Sequence, residues 1–208
     1  LGIFGFMNFI SHDGDASGVG KAFISVIASI VISFVLTYFF WNDEEAIVEE
    51  ATTERKIEKE TVGNPIKGNI LPLEKASDKA FSDGVLGKGI VIEPESGVVK
   101  APFDGTVLSL FPTKHALGIV SDKGLEILIH IGFDTVQLDG KGFEAFVNQG
   151  DSFKKGDTLL KFDIELIQKA GFSIETPVVI TNYNDYIDIL EHTGEHVDFE
   201  KEILTALV

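Results

Sequence analysis

From about Asp78 to Val208 no apolar run lasts more than a few residues before Gly, Pro or Asp breaks it, and this punctuation constrains the fold more than any other feature. Short β-rich runs at such spacing leave no room for packed helices and require an all-β barrel or sandwich. Strands are expected near 89–93, 97–101, 105–110, 116–121, 125–131, 143–147, 158–162 and 177–181. Helix is confined to about one turn over Ile164 to Ala170 and to Asp185 to Glu191.

Within this region two histidines flank a turn, His115 in Phe111-Pro-Thr-Lys-His and His130 in Leu128-Ile-His-Ile-Gly-Phe-Asp134. The segment Ser121-Asp122-Lys123-Gly124 between them predicts an antiparallel hairpin. With Asp122 and Lys123 as a two-residue loop, Ser121 pairs with Gly124 and His115 falls directly opposite His130. Their Cβ atoms would then lie about 4.5–5.5 Å apart. A loop of odd length would send the two rings to opposite faces. Strand alternation assigns Leu125, Ile127, Ile129, Ile131 and Phe133 to the core. His130 then shares the other face with Glu126, Leu128, Gly132 and Asp134, while His115 shares its face with Thr113, Leu117 and Ile119.

Upstream the pattern changes. Residues 22–41 (AFISVIASIVISFVLTYFFW) carry no charge and are long enough to cross a hydrocarbon layer of about 30 Å, with Tyr38 and Trp41 as interface residues. The expectation is a transmembrane helix over about 22–41. A signal peptide is disfavoured by the length of the run and by the lack of a small-residue cleavage pattern. Only Lys21 precedes the run, whereas Arg55, Lys56 and Lys59 follow it, which favours a cytoplasmic C-terminal side. Residues 42–77 turn to Glu, Lys and Thr, then to Pro and Gly, and read as a charged flexible linker. The expected division is therefore 1–41 membrane-embedded, 42–77 linker and 78–208 folded domain. Because the chain begins at Leu1, it is expected to be the C-terminal part of a longer membrane protein.

A net charge of −16 argues against a nucleic-acid partner and accommodates a basic protein partner. The absence of cysteine excludes thiol nucleophiles and zinc-thiolate sites within these 208 residues. No Gly-x-Ser-x-Gly elbow supports a serine hydrolase. His130-Ile-Gly-Phe-Asp134 is similar to the His-x-Gly-x-Asp element of certain zinc peptidases of β architecture. The later His-x-His that those enzymes need does not occur here, so the zinc alternative rests on His115 and His130 with one carboxylate. The third option is phosphoryl transfer. A neutral imidazole is a competent nucleophile when its other nitrogen is held by an acceptor. A second imidazole and the hydroxyl of Thr113 would supply donors to the phosphoryl oxygens without a metal.

Several stretches together carry a closer resemblance: Thr113-Lys-His115, Ile127-Leu-Ile-His130-Ile-Gly-Phe-Asp-Thr-Val136, Ala101-Pro-Phe-Asp-Gly105-Thr-Val, Gly150-Asp with Lys155-Gly-Asp157-Thr-Leu, and Thr176-Pro-Val-Val-Ile-Thr-Asn182. In this order, over about 78–208, they resemble the glucose-type enzyme IIA domain of the bacterial phosphoenolpyruvate-dependent sugar phosphotransferase system. The resemblance implies an antiparallel β-sandwich or barrel with a duplicated hybrid motif. It implies that His130 carries the phosphoryl group, that His115 hydrogen-bonds it, and that Thr113 supports the network. No metal or organic cofactor is implied. Asp78, Phe81, Phe111, Leu128, Asp134 and Val136 match the surroundings of a docking surface for the phosphocarrier HPr and for enzyme IIB. Leu128 stands where the family has an aromatic residue and keeps that ring of contacts apolar.

A membrane helix, an acidic linker and then enzyme IIA resemble the end of a permease whose domains run IIB, IIC, IIA, as in the β-glucoside and sucrose types. Such a resemblance places the protein at the bacterial inner membrane with the IIA domain cytoplasmic. The linker would raise the local concentration of IIA at its acceptor. Enzyme IIB of this class is phosphorylated on cysteine, so that partner lies upstream of Leu1 or on another polypeptide. Biotinyl and lipoyl carrier domains share the Ala101-Pro-Phe-Asp-Gly-Thr-Val and Gly150-Asp-Ser-Phe-Lys-Lys-Gly frame. Their modified lysine would have to be Lys123 or Lys141, neither of which has the usual neighbouring methionine.

Overall fold

Residues 58–208 are described by the computed structural model, and in them the interrupted apolar runs become fourteen strands and two short helices. In chain order the strands are β1 (Lys59–Gly63), β2 (Gly68–Pro72), β3 (Lys88–Pro94), β4 (Val98–Lys100), β5 (Gly105–Leu110), β6 (Ala116–Ser121) and β7 (Glu126–His130). They continue with β8 (Phe143–Ala145), β9 (Ser152–Phe153), β10 (Thr158–Phe162), β11 (Thr176–Ile180), β12 (Asp188–Glu191), β13 (Gly194–Val197) and β14 (Glu202–Leu207). The helices are α1 (Lys79–Ser82) and α2 (Ile164–Lys169). One eight-stranded sheet runs β13-β2-β3-β11-β7-β6-β5-β9, and two three-stranded sheets run β1-β14-β12 and β4-β10-β8. Every pairing is antiparallel. The all-β expectation holds.

The middle of the large sheet is covered on both faces, and strand alternation separates the two. Ile90 and Ile92 of β3, Ile127 and Ile129 of β7, and Val178 and Ile180 of β11 point into the main core, which Leu117 and Ile119 of β6 join. The intervening Val91 and Val179 point the other way, into a second cluster with Leu73, Ala76, Phe81 and Phe133, against which Leu128 packs. A 3-10 turn at Leu73–Lys75 and α1 supply the cover. His130 follows Leu128 by two residues and opens onto this second face.

Three expectations are corrected. The folded unit starts near Lys59 rather than Asp78, because β1 pairs with β14 and β2 with β3. Val62, Ile66 and Ile70 are at most 1% exposed, so the second half of the expected linker is core. The helix expected over 185–191 is a 3-10 turn at Tyr183–Asp185 followed by strand β12, which pairs with β14. The hairpin loop has three residues, Asp122-Lys123-Gly124, since β6 and β7 pair Ala116 with His130 and Leu117 with Ile129. Gly124 takes φ +96°, a conformation that leaves the third loop position to glycine. Among the described residues no helix is long and apolar enough to cross a membrane, and the expected span 22–41 lies outside them.

A consequence for any fragment follows from β1 and β2. Losing a buried isoleucine alone costs about 2–5 kcal/mol, against total stabilities of about 5–15 kcal/mol. A fragment beginning at Asp78 loses Val62, Ile66 and Ile70 at once and should show no cooperative thermal transition by circular dichroism. Recovery of a sharp transition in that fragment would contradict the pairing of β1 with β14.

Candidate active site

His130 ends β7, and the chain turns immediately behind it. Gly132 takes φ +68°, and its carbonyl comes back to within 2.8 Å of His130 Nδ1. No other residue fits there, because a Cβ would stand 2.4 Å from the Ser173 carbonyl oxygen and 2.5 Å from Thr135 Cγ2. The fully buried Thr135 hydroxyl donates to the Ile131 carbonyl at 2.6 Å and locks the turn. A carbonyl only accepts, so Nδ1 carries the proton and the lone pair lies on Nε2.

His115 reaches the same place by another route. The three-residue hairpin loop would put His115 and His130 on opposite faces if β6 continued regularly through His115. It does not. The ladder begins at Ala116, and Lys114 just before His115 takes φ +59° within a turn closed by the Lys114 N–H on the Phe111 carbonyl at 2.7 Å. The backbone carbonyl of His115 accepts from the Ile131 N–H at 2.7 Å, which pins it beside the end of β7. The two imidazole centroids are 5.0 Å apart and nearly perpendicular, at 81°. The expected proximity is present, and the register that predicted it is not.

Thr113 Oγ1 lies 2.6 Å from His115 Nδ1. A hydroxyl can donate or accept, and when Thr113 donates, His115 presents Nε2–H as a donor. Among the described residues neither Nε2 has a hydrogen-bond partner, so one ring can offer a lone pair and the other a proton. Aromatic rings frame them: Phe81 at 5.3 Å and Phe133 at 6.4 Å from His130, the two phenyl rings 5.6 Å from each other, and Phe111 at 5.4 Å from His115.

Burial holds both histidines below the usual imidazole range. For His115, which is 6% exposed, desolvation leads and the neighbouring His130 adds to it. For the half-buried His130 desolvation again leads, opposed by the Gly132 carbonyl and the carboxylates of Asp78 and Asp134. Both rings are therefore neutral at pH 7. Nucleophilic competence of His130 should stay flat from pH 8 to below 6.5 and fall only as pH drops through its lowered folded value. The linkage has the same sign. The unfolded chain binds more protons in that window, so the stability contributed by the neutral rings is present above about 6.5 and is lost on acidification through the folded values. A titration of either imidazole that broke above pH 7 would contradict this.

The remaining predicted residues divide. Asp78 is the half-buried N-cap of α1, its carboxylate accepting from the Ala80 N–H at 2.8 Å. Phe81, expected on a docking surface, is only 4% exposed and serves as a wall beside His130. Phe111 and Val136 are 44% and 51% exposed, Leu128 is half-buried, and Asp134 is exposed in a left-handed conformation at φ +60°. Sequence reasoning missed the Gly132 carbonyl, for which the glycine two residues after a strand histidine was the available signal, and the bracing by Ser173, for which there was none. Among the described residues no three of His, Asp and Glu are grouped to hold a metal ion, so the zinc alternative finds no third ligand there.

The family model described as phosphoenolpyruvate-dependent sugar phosphotransferase system, EIIA 1, matches residues 60–186. The chain belongs to this family. As an EIIA domain it is a phosphotransferase component of a sugar-specific system. It is 45% identical over 196 residues to the β-glucoside-specific EIIBCA component of Halalkalibacterium halodurans, covering 89% of this chain and 30% of that protein. The component of the same description from Dickeya chrysanthemi is 40% identical over 217 residues, covering 99% and 34%. That from Bacillus subtilis is 42% identical over 173 residues, covering 81% and 28%. The chain thus spans about a third of the length of these relatives. Among solved structures, glucose permease IIA from Mycoplasma capricolum superposes with a TM-score of 0.65 at 37% identity, over 71% of this chain and 96% of that one. The match from residue 60 agrees with a folded unit that includes β1.

Proposed function

We propose that this EIIA domain is a phosphohistidine relay in which Nε2 of His130 accepts a phosphoryl group from phospho-HPr and passes it to a cysteine of enzyme IIB. The observation that carries the reading is the pair of perpendicular imidazoles 5.0 Å apart, each with Nδ1 engaged and Nε2 open. In the first step the Nε2 lone pair forms the P–N bond as the bond to the HPr carrier breaks, while Nδ1–H stays on the Gly132 carbonyl. His115 Nε2–H donates to a phosphoryl oxygen, with Thr113 fixing its tautomer. In the second step a IIB thiolate forms the P–S bond and the electron pair returns to His130 Nε2.

Exposed Phe111 against His115 and exposed Val136 in the turn that follows Asp134, with the carboxylates of Asp78 and Asp134, suit a partner that presents apolar and basic groups to an acidic chain. The names of the relatives support a β-glucoside as the sugar and a IIB domain in the same polypeptide, upstream of Leu1, or in trans. The uncharged run 22–41 supports placement at the bacterial cell (inner) membrane, with 1–41 read as the end of a IIC part and a cytoplasmic EIIA domain tethered behind it.

The test is incubation of the chain with phosphoenolpyruvate, enzyme I and HPr, read by intact mass. One added phosphoryl group that is lost in acid supports the relay. No adduct, with tightly bound zinc in its place, would replace the relay with the metal-site reading.

A further inference from the structure

The loop at 173–175 touches two supports of His130 at once. On one side the Ser173 carbonyl accepts from the Phe133 N–H at 3.3 Å and sits against Gly132, whose carbonyl holds the imidazole. On the other, Glu175 Oε2 accepts two hydrogen bonds from Ser77, from its N–H at 2.8 Å and from its hydroxyl at 3.0 Å, across 98 residues of sequence. The loop is braced internally, with the Glu175 N–H on Ser173 Oγ at 3.1 Å and the Thr176 hydroxyl on the Ile174 carbonyl at 2.9 Å.

Ser77 immediately precedes Asp78, the cap of α1. A four-residue helix has too few internal hydrogen bonds to hold its own position, so α1 stands where its ends are tied. The ties are the burial of Phe81 in the second cluster and the Ser77 bonds to Glu175. We infer that Glu175 is a positioning residue: by clamping Ser77 it sets where Phe81 and Asp78 stand against the His130 imidazole. Two hydrogen bonds on one oxygen hold Ser77 in place by geometry, and the neutral oxygen of an amide could accept both.

The inference deepens the relay reading in assigning the clamp a part in phosphoryl transfer, while its effect on the imidazole can be measured separately. The carboxylates that face His130 are Asp78 and Asp134, and the neighbouring titratable ring is His115. Glu175 acts on His130 through Ser77 and Asp78, so a substitution that keeps an acceptor and removes the charge should be silent.

The experiment compares Glu175→Leu and Glu175→Gln in the full chain, reading the His130 ring titration by NMR and the rate of phosphoryl acceptance against phospho-HPr concentration. In Glu175→Leu, release of Asp78 should leave His130 holding its proton about threefold more weakly. Acceptance at saturating phospho-HPr should fall about tenfold. Glu175→Gln should restore both to within about twofold of the parent. Ser77→Ala removes one of the two bonds and should move the titration in the same direction by less, which covers a poorly folding Glu175→Leu. Equal changes in the Gln and Leu variants, or an unmoved titration in all three, would overturn the clamp. The expected titration changes in a chain that accepts no phosphate would uphold the clamp and sink the relay instead.

Discussion

In His130→Ala the phosphoryl adduct should disappear, with acceptance from phospho-HPr reduced by about 10³-fold or more, to background. The fold should survive. His130 is half-buried at the end of β7, its side chain makes one hydrogen bond to the protein, and alanine keeps the Ala116 pairing that closes the β6–β7 ladder. Truncation loses the ring contacts with Phe81 and Phe133, a cost of about 1–3 kcal/mol, within the stability of a domain of this size. Intact mass and circular dichroism on the same sample separate loss of the nucleophile from loss of structure. His115 is not expected to substitute, because it is only 6% exposed and, with Thr113 donating to Nδ1, its Nε2 carries the proton and offers no lone pair. Adduct formation at the parent rate in a folded His130→Ala chain would assign the nucleophile wrongly.

How far the fold and the site were legible depended on whether the information was local. Five strands of the large sheet, β3, β5, β6, β7 and β11, could be read to within a residue or two because each is a short apolar run between turn signals, as in Glu126–His130 and Lys88–Pro94, whereas β2, β9 and β13 were not expected. β1 could not be read either. Its sequence, Lys-Glu-Thr-Val-Gly, offers one large apolar residue and looks like linker, and it is a strand because β14, from the far end of the chain, pairs with it. The same partner turns 188–191 from an expected helix into β12. At the site, the proximity of Thr113, His115 and His130 was legible, but it was reached by a wrong register. The hairpin is one residue longer in its loop than the turn signal suggested, and the irregular backbone at Lys114 compensates by carrying His115 out of strand alternation. A positive φ at a lysine has no sequence signature. Phe81 was read as surface because a four-residue helix covering a second, smaller core is invisible without β3 and β11 beneath it.

His115→Gln should separate the two half-reactions. Acceptance from phospho-HPr should proceed within several-fold of the parent, and transfer onward to IIB should fall by about 10²–10³-fold. The difference lies in the charge of the incoming nucleophile. In the proposed relay His130 meets phospho-HPr as a neutral imidazole, since burial keeps its pKa below the usual range. A glutamine amide at position 115 can still donate one neutral hydrogen bond to the phosphoryl oxygens, which suffices for attack by an uncharged nucleophile. Onward transfer brings a thiolate against a phosphoryl group that is already anionic, and the repulsion must be offset where it develops. His115 can do so by taking up a second proton at Nδ1, which then donates to Thr113 Oγ1 as that hydroxyl turns to accept, while Nε2–H stays on the phosphoryl group, giving a cation beside it. Glutamine cannot become a cation. The burial that lowers the His115 pKa in the resting state is offset once a dianionic phosphoryl group occupies the pocket, because a nearby opposite charge favours the protonated ring. Single-turnover transfer from isolated phospho-protein to IIB measures the second step alone. Equal loss in both steps would make His115 a general donor to the phosphoryl group and remove its part as a switchable cation.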